Sequence, residues 1–203
     1  MQFQFSELTP NERYHLMVQS VLPRPIAWIL TVNDDGSHNL APYSFFAPVC
    51  ANPPTMVVSI GQKQPGEDKD TFRNLQRDGR CVVHIASVDW LDVLNASSAT
   101  LAKNESEINA GNIPLLADSD GGLPHIDGAP IAYYCRLQQV TDLGPAPQHI
   151  VFLEIDKLVV AEGVDYVKDG STRLSAAAIN PLARLGGSEY AALGDIISMA
   201  RPE

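Results

Sequence analysis

Nowhere in this sequence is there an apolar run near the roughly 18 residues needed to cross a bilayer, and its opening, MQFQFSELTP, lacks the basic-then-apolar texture of an export signal. Membrane insertion is therefore not expected, and a cytoplasmic location is. Positive charge is also scarce: 14 Lys and Arg stand against 24 Asp and Glu, a formal net charge of −10. Such a chain repels phosphate backbones and anionic lipid over most of its surface, which excludes nucleic acid and membrane as expected partners. Cysteine is rare. Cys50, Cys81 and Cys135 are odd in number, far apart and without CxxC spacing, so a disulfide framework is excluded, and each sits among apolar neighbours as a small buried side chain would. The histidines show neither HxxxH nor HExxH spacing, so no metal site is expected. GxGxxG, GxxxxGK[ST] and GxSxG are all missing, which removes the commonest nucleotide and nucleophile-elbow readings. Asp34-Asp35 reads as a turn former, and Ser171 and Ser188 stand in turn-like settings without an evident base.

What remains is a chain of 203 residues, 45% hydrophobic and 19% charged, with Pro and Gly dispersed and neither repeat nor linker. That length buries a real core, and one domain over residues 1–203 is expected, with an N-terminal helix (about 10–21) and a C-terminal tail (about 179–203) as appendages. Thr9-Pro10-Asn11-Glu12 has the pattern of N-cap, first-turn proline and capping-box acid, and Tyr14, Met17, Val18 and Val21 follow at helical spacing. From Ile26 the texture turns β-branched and aromatic: IAWILTV, an Asp-Gly type turn in NDDGS, and HNLAPYSFF predict a hairpin. TMVVSIG and CVVHIAS are further strands, with a short helix, DTFRNLQRDG, between them and ended by Gly79. A helix over about Asp89–Ala96 and a capped turn in NESEINAG (Asn104, Glu107) precede a loop-rich stretch. Two long strands then follow, IAYYCRLQQVTDLG and HIVFLEIDKLVVAEG. About six strands with only short helices between them predict a mainly β fold, an antiparallel barrel with helical appendages.

Two clusters carry chemistry. In Lys69-Asp70-Thr71, Asp70 as N-cap would occupy the free amides of the first turn and make the stretch structural. Alternatively the helix start faces a phosphate held by backbone amides, the Thr71 hydroxyl and the Lys69 ammonium, with Asp70 turned away or paired to a cation. In the second cluster, Arg24–Phe46, Pro42 predicts a break or bulge of the second hairpin strand over Ala41–Ser44. Free backbone groups there, with Asn39, Ser44, Phe45 and Trp28 beside them, could serve a flat heteroaromatic ring. Trp28, Phe45 and Phe46 are equally readable as core.

PRPIAW, a hairpin, NLAPYSFF, NPP, a strand ending S-x-G, KDTFRN and RLGGSEY occur in that order over about Leu22–Tyr190. This succession resembles the flavin reductase-like family of FMN-binding split barrels. The resemblance implies a homodimer with FMN at its interface. Trp28, Thr31, Asn39, Ala41, Pro42, Ser44 and Phe45 would then lie about the ring and ribityl chain, Lys69, Thr71 and Asn74 at or near the phosphate, and Arg184 and Tyr190 near a flavin, of this subunit or the other. Without the resemblance, the tail around Arg184 and Tyr190 reads as a surface helix ended by Gly186-Gly187. The chain departs from the family pattern at Leu30, at Ala47-Pro48-Val49-Cys50, and at Leu153, where glycine is usual. The resemblance implies an FMN-dependent oxidoreductase taking hydride from NADH or NADPH, with no side chain acting as acid or base. An FMN-binding electron carrier served by a redox partner protein is the alternative, and oxidation of a small substrate, as in relatives of pyridoxamine phosphate oxidase, is a third.

Overall fold

The computed structural model of the protein describes residues 1–102 and 105–202. Its centre is a seven-stranded, wholly antiparallel sheet. In chain order the strands are β1 (Ala27–Val32), β2 (His38–Tyr43), β3 (Phe46–Ala51), β4 (Pro54–Ile60), β5 (Arg80–Ile85), β6 (Ile131–Leu143) and β7 (Gln148–Val160), and in space they run β2-β1-β5-β6-β7-β4-β3. The two edge strands, β2 and β3, are consecutive in sequence. Only Ser44 and Phe45 separate them, and at about 3.3–3.6 Å per residue the two edges stand within roughly 10 Å of each other. A flat sheet of this order would hold them about 29 Å apart at about 4.8 Å per strand spacing. The sheet therefore curls into a barrel that is open between β2 and β3.

Curling gives the sheet two covered faces. Ala27 and Ile29 pack with Met56, Val58, Val83, Val151 and Leu153 in one core, which Phe72 and Leu75 of α2 (Asp70–Asp78) close. Trp28 and Leu30 point the other way, into a second core with Leu40, Val82, Ile126 and Leu94, the last from α3 (Leu91–Ala96). Burial on both sides explains why β1 reads as a continuous apolar run instead of an alternating one. Leu30 belongs to this packing, so its departure from the family pattern is compensated by apolar burial, and Leu153 is likewise wholly enclosed.

The capping motif at Thr9 holds as expected. Thr9 Oγ1 accepts from the Glu12 amide at 3.3 Å while the Glu12 carboxylate accepts from the Thr9 amide at 2.8 Å, starting α1 at Pro10–Ser20. The apolar face of α1 is another matter: Val18 is buried, whereas Tyr14, Met17 and Val21 are exposed. The β1–β2 hairpin closes through Asn33 and Ser37, with Gly36 at φ +83°. α2 ends where Gly79 takes the left-handed conformation and donates to the Leu75 carbonyl at 2.8 Å.

Four expectations are corrected. The strand carrying Pro42 does not break: β2 keeps a single register against β1 from His38↔Val32 to Tyr43↔Ala27. It is an edge strand, and Leu40 N–H points outward, to a carboxylate of α4 (Glu107–Ala110). Pro42, two residues on, presents its missing donor on that same open side, where no ladder bond is lost. The tail is not a helix after Ile179; Ala183–Arg184 pairs with Arg24–Pro25 and with Tyr190–Ala191 in a small sheet. Cys50 is exposed on edge strand β3, while Cys81 and Cys135 are buried and face each other across β5 and β6. The cap of α4 is Ser106, whose hydroxyl accepts from the Asn109 amide; Asn104, expected in that role, lies outside the described residues.

Candidate functional site

A cleft of about 170 Å³ opens between β2, the start of α2 and the segment after α3. Lys69 is the N-cap residue of α2 but makes no capping bond with its side chain, and Asp70 is the first helical residue. The capping reading of Asp70 is thus overturned: its carboxylate pairs instead with Lys63 Nζ at 2.6 Å and with Arg73. Two consequences follow for the helix start. Its first-turn amides carry no side-chain acceptor among the described residues, and the acid next to it is neutralised by two cations. Lys69 forms no ion pair among the described residues, and its ammonium stands 5.7 Å from the centre of the Tyr43 ring. Burial first, and Lys63 second, push the Lys69 pKa below its ordinary value. An ammonium held this way gains from any anion that joins it.

Beneath the cleft lies a buried polar network. Asn39 Nδ2 donates to Thr71 Oγ1 at 2.9 Å and to Thr31 Oγ1 at 3.2 Å; Asn74 Nδ2 donates to Thr31 Oγ1 at 3.1 Å and Asn33 Oδ1 at 3.0 Å. Four elements supply these groups, and each is almost wholly buried, so the network fixes the start of α2 against the β1–β2 hairpin. Asn39 and Thr71 reach the cleft wall; Thr31 and Asn74 do not and act from behind it. Tyr43 closes the floor. Its phenol is fully enclosed, its pKa is raised by that burial, and its hydroxyl lies near Thr71 without making a hydrogen bond.

Past Pro42 and Tyr43 a second hollow, of about 120 Å³, continues over Ser44 to Arg184 and Tyr190. The Arg184 guanidinium lies 4.6 Å from the centre of the Tyr190 ring, and Tyr190 Oη donates to Asn95 Oδ1 at 3.0 Å. Of the twelve residues singled out in the sequence, Asn39, Ala41, Pro42, Ser44, Lys69, Thr71, Arg184 and Tyr190 line the two joined hollows. Trp28 does not: it is fully buried, and its Nε1 donates at 2.9 Å to Ser97 Oγ, so it shapes the wall through Ser97. Phe45 is turned outward against Tyr14, ring centres 6.4 Å apart.

Sequence reasoning missed several contributors. Arg24, 6% exposed, donates to the carbonyls of Val18 (2.5 Å) and Val21 (3.0 Å) at the end of α1, to the Leu185 carbonyl (2.7 Å) and to Ser44 Oγ (3.4 Å). It joins the N-terminal helix, the tail and the cleft. Its only sequence signal was position, a lone arginine at the head of an apolar strand. Tyr43 lies within NLAPYSFF and Glu107 within NESEINAG, but nothing in the sequence joined either of them, or Lys63, to the cleft, which they meet only through tertiary packing.

The flavin reductase like domain matches residues 18–175. The chain belongs to that family. Its fold is the split barrel of flavin reductase-like proteins. An uncharacterized protein of Halalkalibacterium halodurans is 32% identical over 200 residues, covering 96% of this chain and 93% of that one. Among solved structures, nitrilotriacetate monooxygenase component B from Bacillus cereus superposes with a TM-score of 0.90 at 32% identity, covering 98% of each chain. The 2-nitrobenzoate 2-nitroreductase NbaA of Pseudomonas fluorescens does so with 0.88 at 28%, covering 100% of this chain and 96% of that one.

Proposed function

We propose that the joined hollows bind FMN and that the whole chain is one flavin-binding unit acting as an oxidoreductase, an NAD(P)H:flavin reductase or the reductase of a partner enzyme. The observation that carries this reading is the unpaired Lys69 ammonium beside the uncapped start of α2. Helix amides, a hydroxyl and a cation converge there with no protein acceptor, which suits a phosphate monoester. Thr71 would bond that phosphate, and Asn74 would hold Thr31 and the helix start in place behind it. Asn39, Ala41, Pro42 and Ser44 would line the ribityl chain and ring, and Arg184 and Tyr190 would close the far end. The redox chemistry belongs to the flavin when bound. The chain's share is to hold the ring, fix its orientation and exclude water, and none of its side chains is assigned as acid or base. The similarity to a monooxygenase component and to a nitroreductase supports an electron-transfer role with a partner protein or a small acceptor.

A second reading, an FMN-binding electron carrier, draws on the charges. Lys63 is engaged by Asp70, and Arg184 bonds the carbonyls of Gly187 and Glu189. Lys69 is thus the one uncommitted cation among the described residues lining the hollows, enough for one phosphate and few for the diphosphate of a nicotinamide dinucleotide. A homodimer belongs to both readings: Tyr14, Met17, Val21, Phe45 and Val49, together with Leu193, Ile196, Ile197 and Met199 of the tail, expose apolar surface of the kind that association buries. The deciding experiment is an absorbance spectrum of the purified protein followed by anaerobic titration with NADH and NADPH. A bound flavin bleached by either donor establishes the reductase, and a bound flavin bleached by neither, yet reduced by a redox protein, establishes the carrier. Absence of flavin binding refutes both.

A further inference from the structure

Next to the first hollow lies another cleft, of about 300 Å³, between α3 and α4. Its walls are apolar, formed by Val93, Ala96, Ala110 and Ile113. It meets the proposed flavin cleft along Ser97, Leu101 and Glu107, which line both. Polar recognition can come from few of these. Ser97 Oγ is committed, accepting from Trp28 and donating to the Leu94 carbonyl at 2.8 Å. Glu107 differs. It is 9% exposed, and its carboxylate accepts from Leu40 N–H at 2.9 Å. Burial raises the Glu107 pKa above the ordinary carboxylate value. The remaining charged group of the lining is Asp92, exposed at the mouth; the described lining holds no lysine or arginine.

We propose that this cleft is a second ligand site beside the flavin, taking a neutral or cationic ring compound, apolar over most of its surface, whose one hydrogen-bonding group meets Glu107. At about 300 Å³ the volume lies at the lower end of the range of small-molecule pockets, and the lining has their composition, apolar walls with one fixed polar group. Anions are disfavoured because a carboxylate entering there meets Glu107 and Asp92, while Lys63, which reaches the Leu101 carbonyl at 3.3 Å, is already engaged by Asp70 at 2.6 Å. The proposal rests on the flavin reading of the adjoining cleft.

Three probes of one ring size separate the cases: benzamide (neutral), 1-methylnicotinamide (cationic) and benzoate (anionic), titrated into FMN-loaded protein by calorimetry. Benzamide and 1-methylnicotinamide are expected to bind, and benzoate at least about tenfold more weakly. Ala110→Phe, which fills the cleft from the end of α4, should lower both affinities by about tenfold or more while FMN affinity stays unchanged. Glu107→Gln, which keeps an acceptor for Leu40 N–H, should weaken 1-methylnicotinamide more than benzamide. Near-UV circular dichroism establishes that each variant is folded. Equal binding of benzoate, or probe affinities untouched by Ala110→Phe, overturns the proposal while leaving the flavin reading intact. Failure of the unaltered protein to hold FMN refutes the flavin reading instead, and the second-site proposal with it.

Discussion

Replacing Lys69 by alanine isolates the phosphate half of the site. The side chain caps nothing, so its loss leaves α2 its backbone geometry, and the nearest cation, Lys63, is relieved of a like-charged neighbour. The helix should therefore survive. A charge-assisted hydrogen bond to a phosphate contributes about 1.5–3 kcal/mol, and at about 1.4 kcal/mol per tenfold this becomes a loss of roughly 10- to 150-fold in FMN affinity. Lys69 is half-buried, with little water to take over the screening, which places the expectation in the upper part of that range. Riboflavin lacks the phosphate and should lose less than about threefold. Quenching of flavin fluorescence on titration measures both affinities, and repeating the FMN titration at raised salt should weaken the unaltered protein more than the variant. Equal losses for FMN and riboflavin would remove Lys69 from any phosphate site and leave the cleft without its anchoring argument.

His84 predicts a pH dependence unrelated to the flavin. Its Nε2 accepts from the Ile126 amide at 3.0 Å and its Nδ1 donates to the Trp28 carbonyl at 3.1 Å, an arrangement that requires the neutral ring, and burial holds its pKa down to about 4. Above the unfolded value of about 6.5 the stabilisation is complete; between there and about 4 the unfolded state binds the extra proton, so stability falls with falling pH by about 3 kcal/mol in all. Denaturant melts from pH 7 to 4 should show that slope and His84→Gln should flatten it; an unchanged slope refutes the assignment. Arg24→Met removes four donors' worth of bonding and should destabilise the fold by about 3 kcal/mol, read as a shift in urea midpoint, because the carbonyls of Val18, Val21 and Leu185 lose a charged partner. Deleting everything after Asn180 removes Leu182 from the core, along with the Arg24–Leu185 and Tyr190–Asn95 bonds, and should weaken FMN binding and, by linkage, any dimer. A truncated protein that keeps both unchanged would strike Arg184 and Tyr190 from the site.

The sequence by itself determined the local elements: the capped start of α1, the Gly36 hairpin, the Gly79 stop of α2 and the long β6–β7 pair each depend on neighbours a few residues away. The order of short motifs, which no folding argument was needed to see, carried the family. Edge position was beyond it, and with edge position went the fate of Pro42: a proline is disruptive inside a ladder and harmless on an open side, and only the closing of the barrel decides which applies. The same holds for Asp70. Its sequence context suits an N-cap, yet Lys63 and Arg73, one from the short strand Gln62–Gln64 and one from the next turn of α2, draw the carboxylate away and leave the helix start open. Trp28 and Phe45 both left the places expected about the ring, Trp28 for the core and Phe45 for the outer surface, since which face of a strand meets the cleft is set by curvature and by what packs behind it. Arg24, Tyr43 and Glu107 became visible only when segments far apart in the chain met, because a buried polar group takes its meaning from the partners that tertiary structure brings to it.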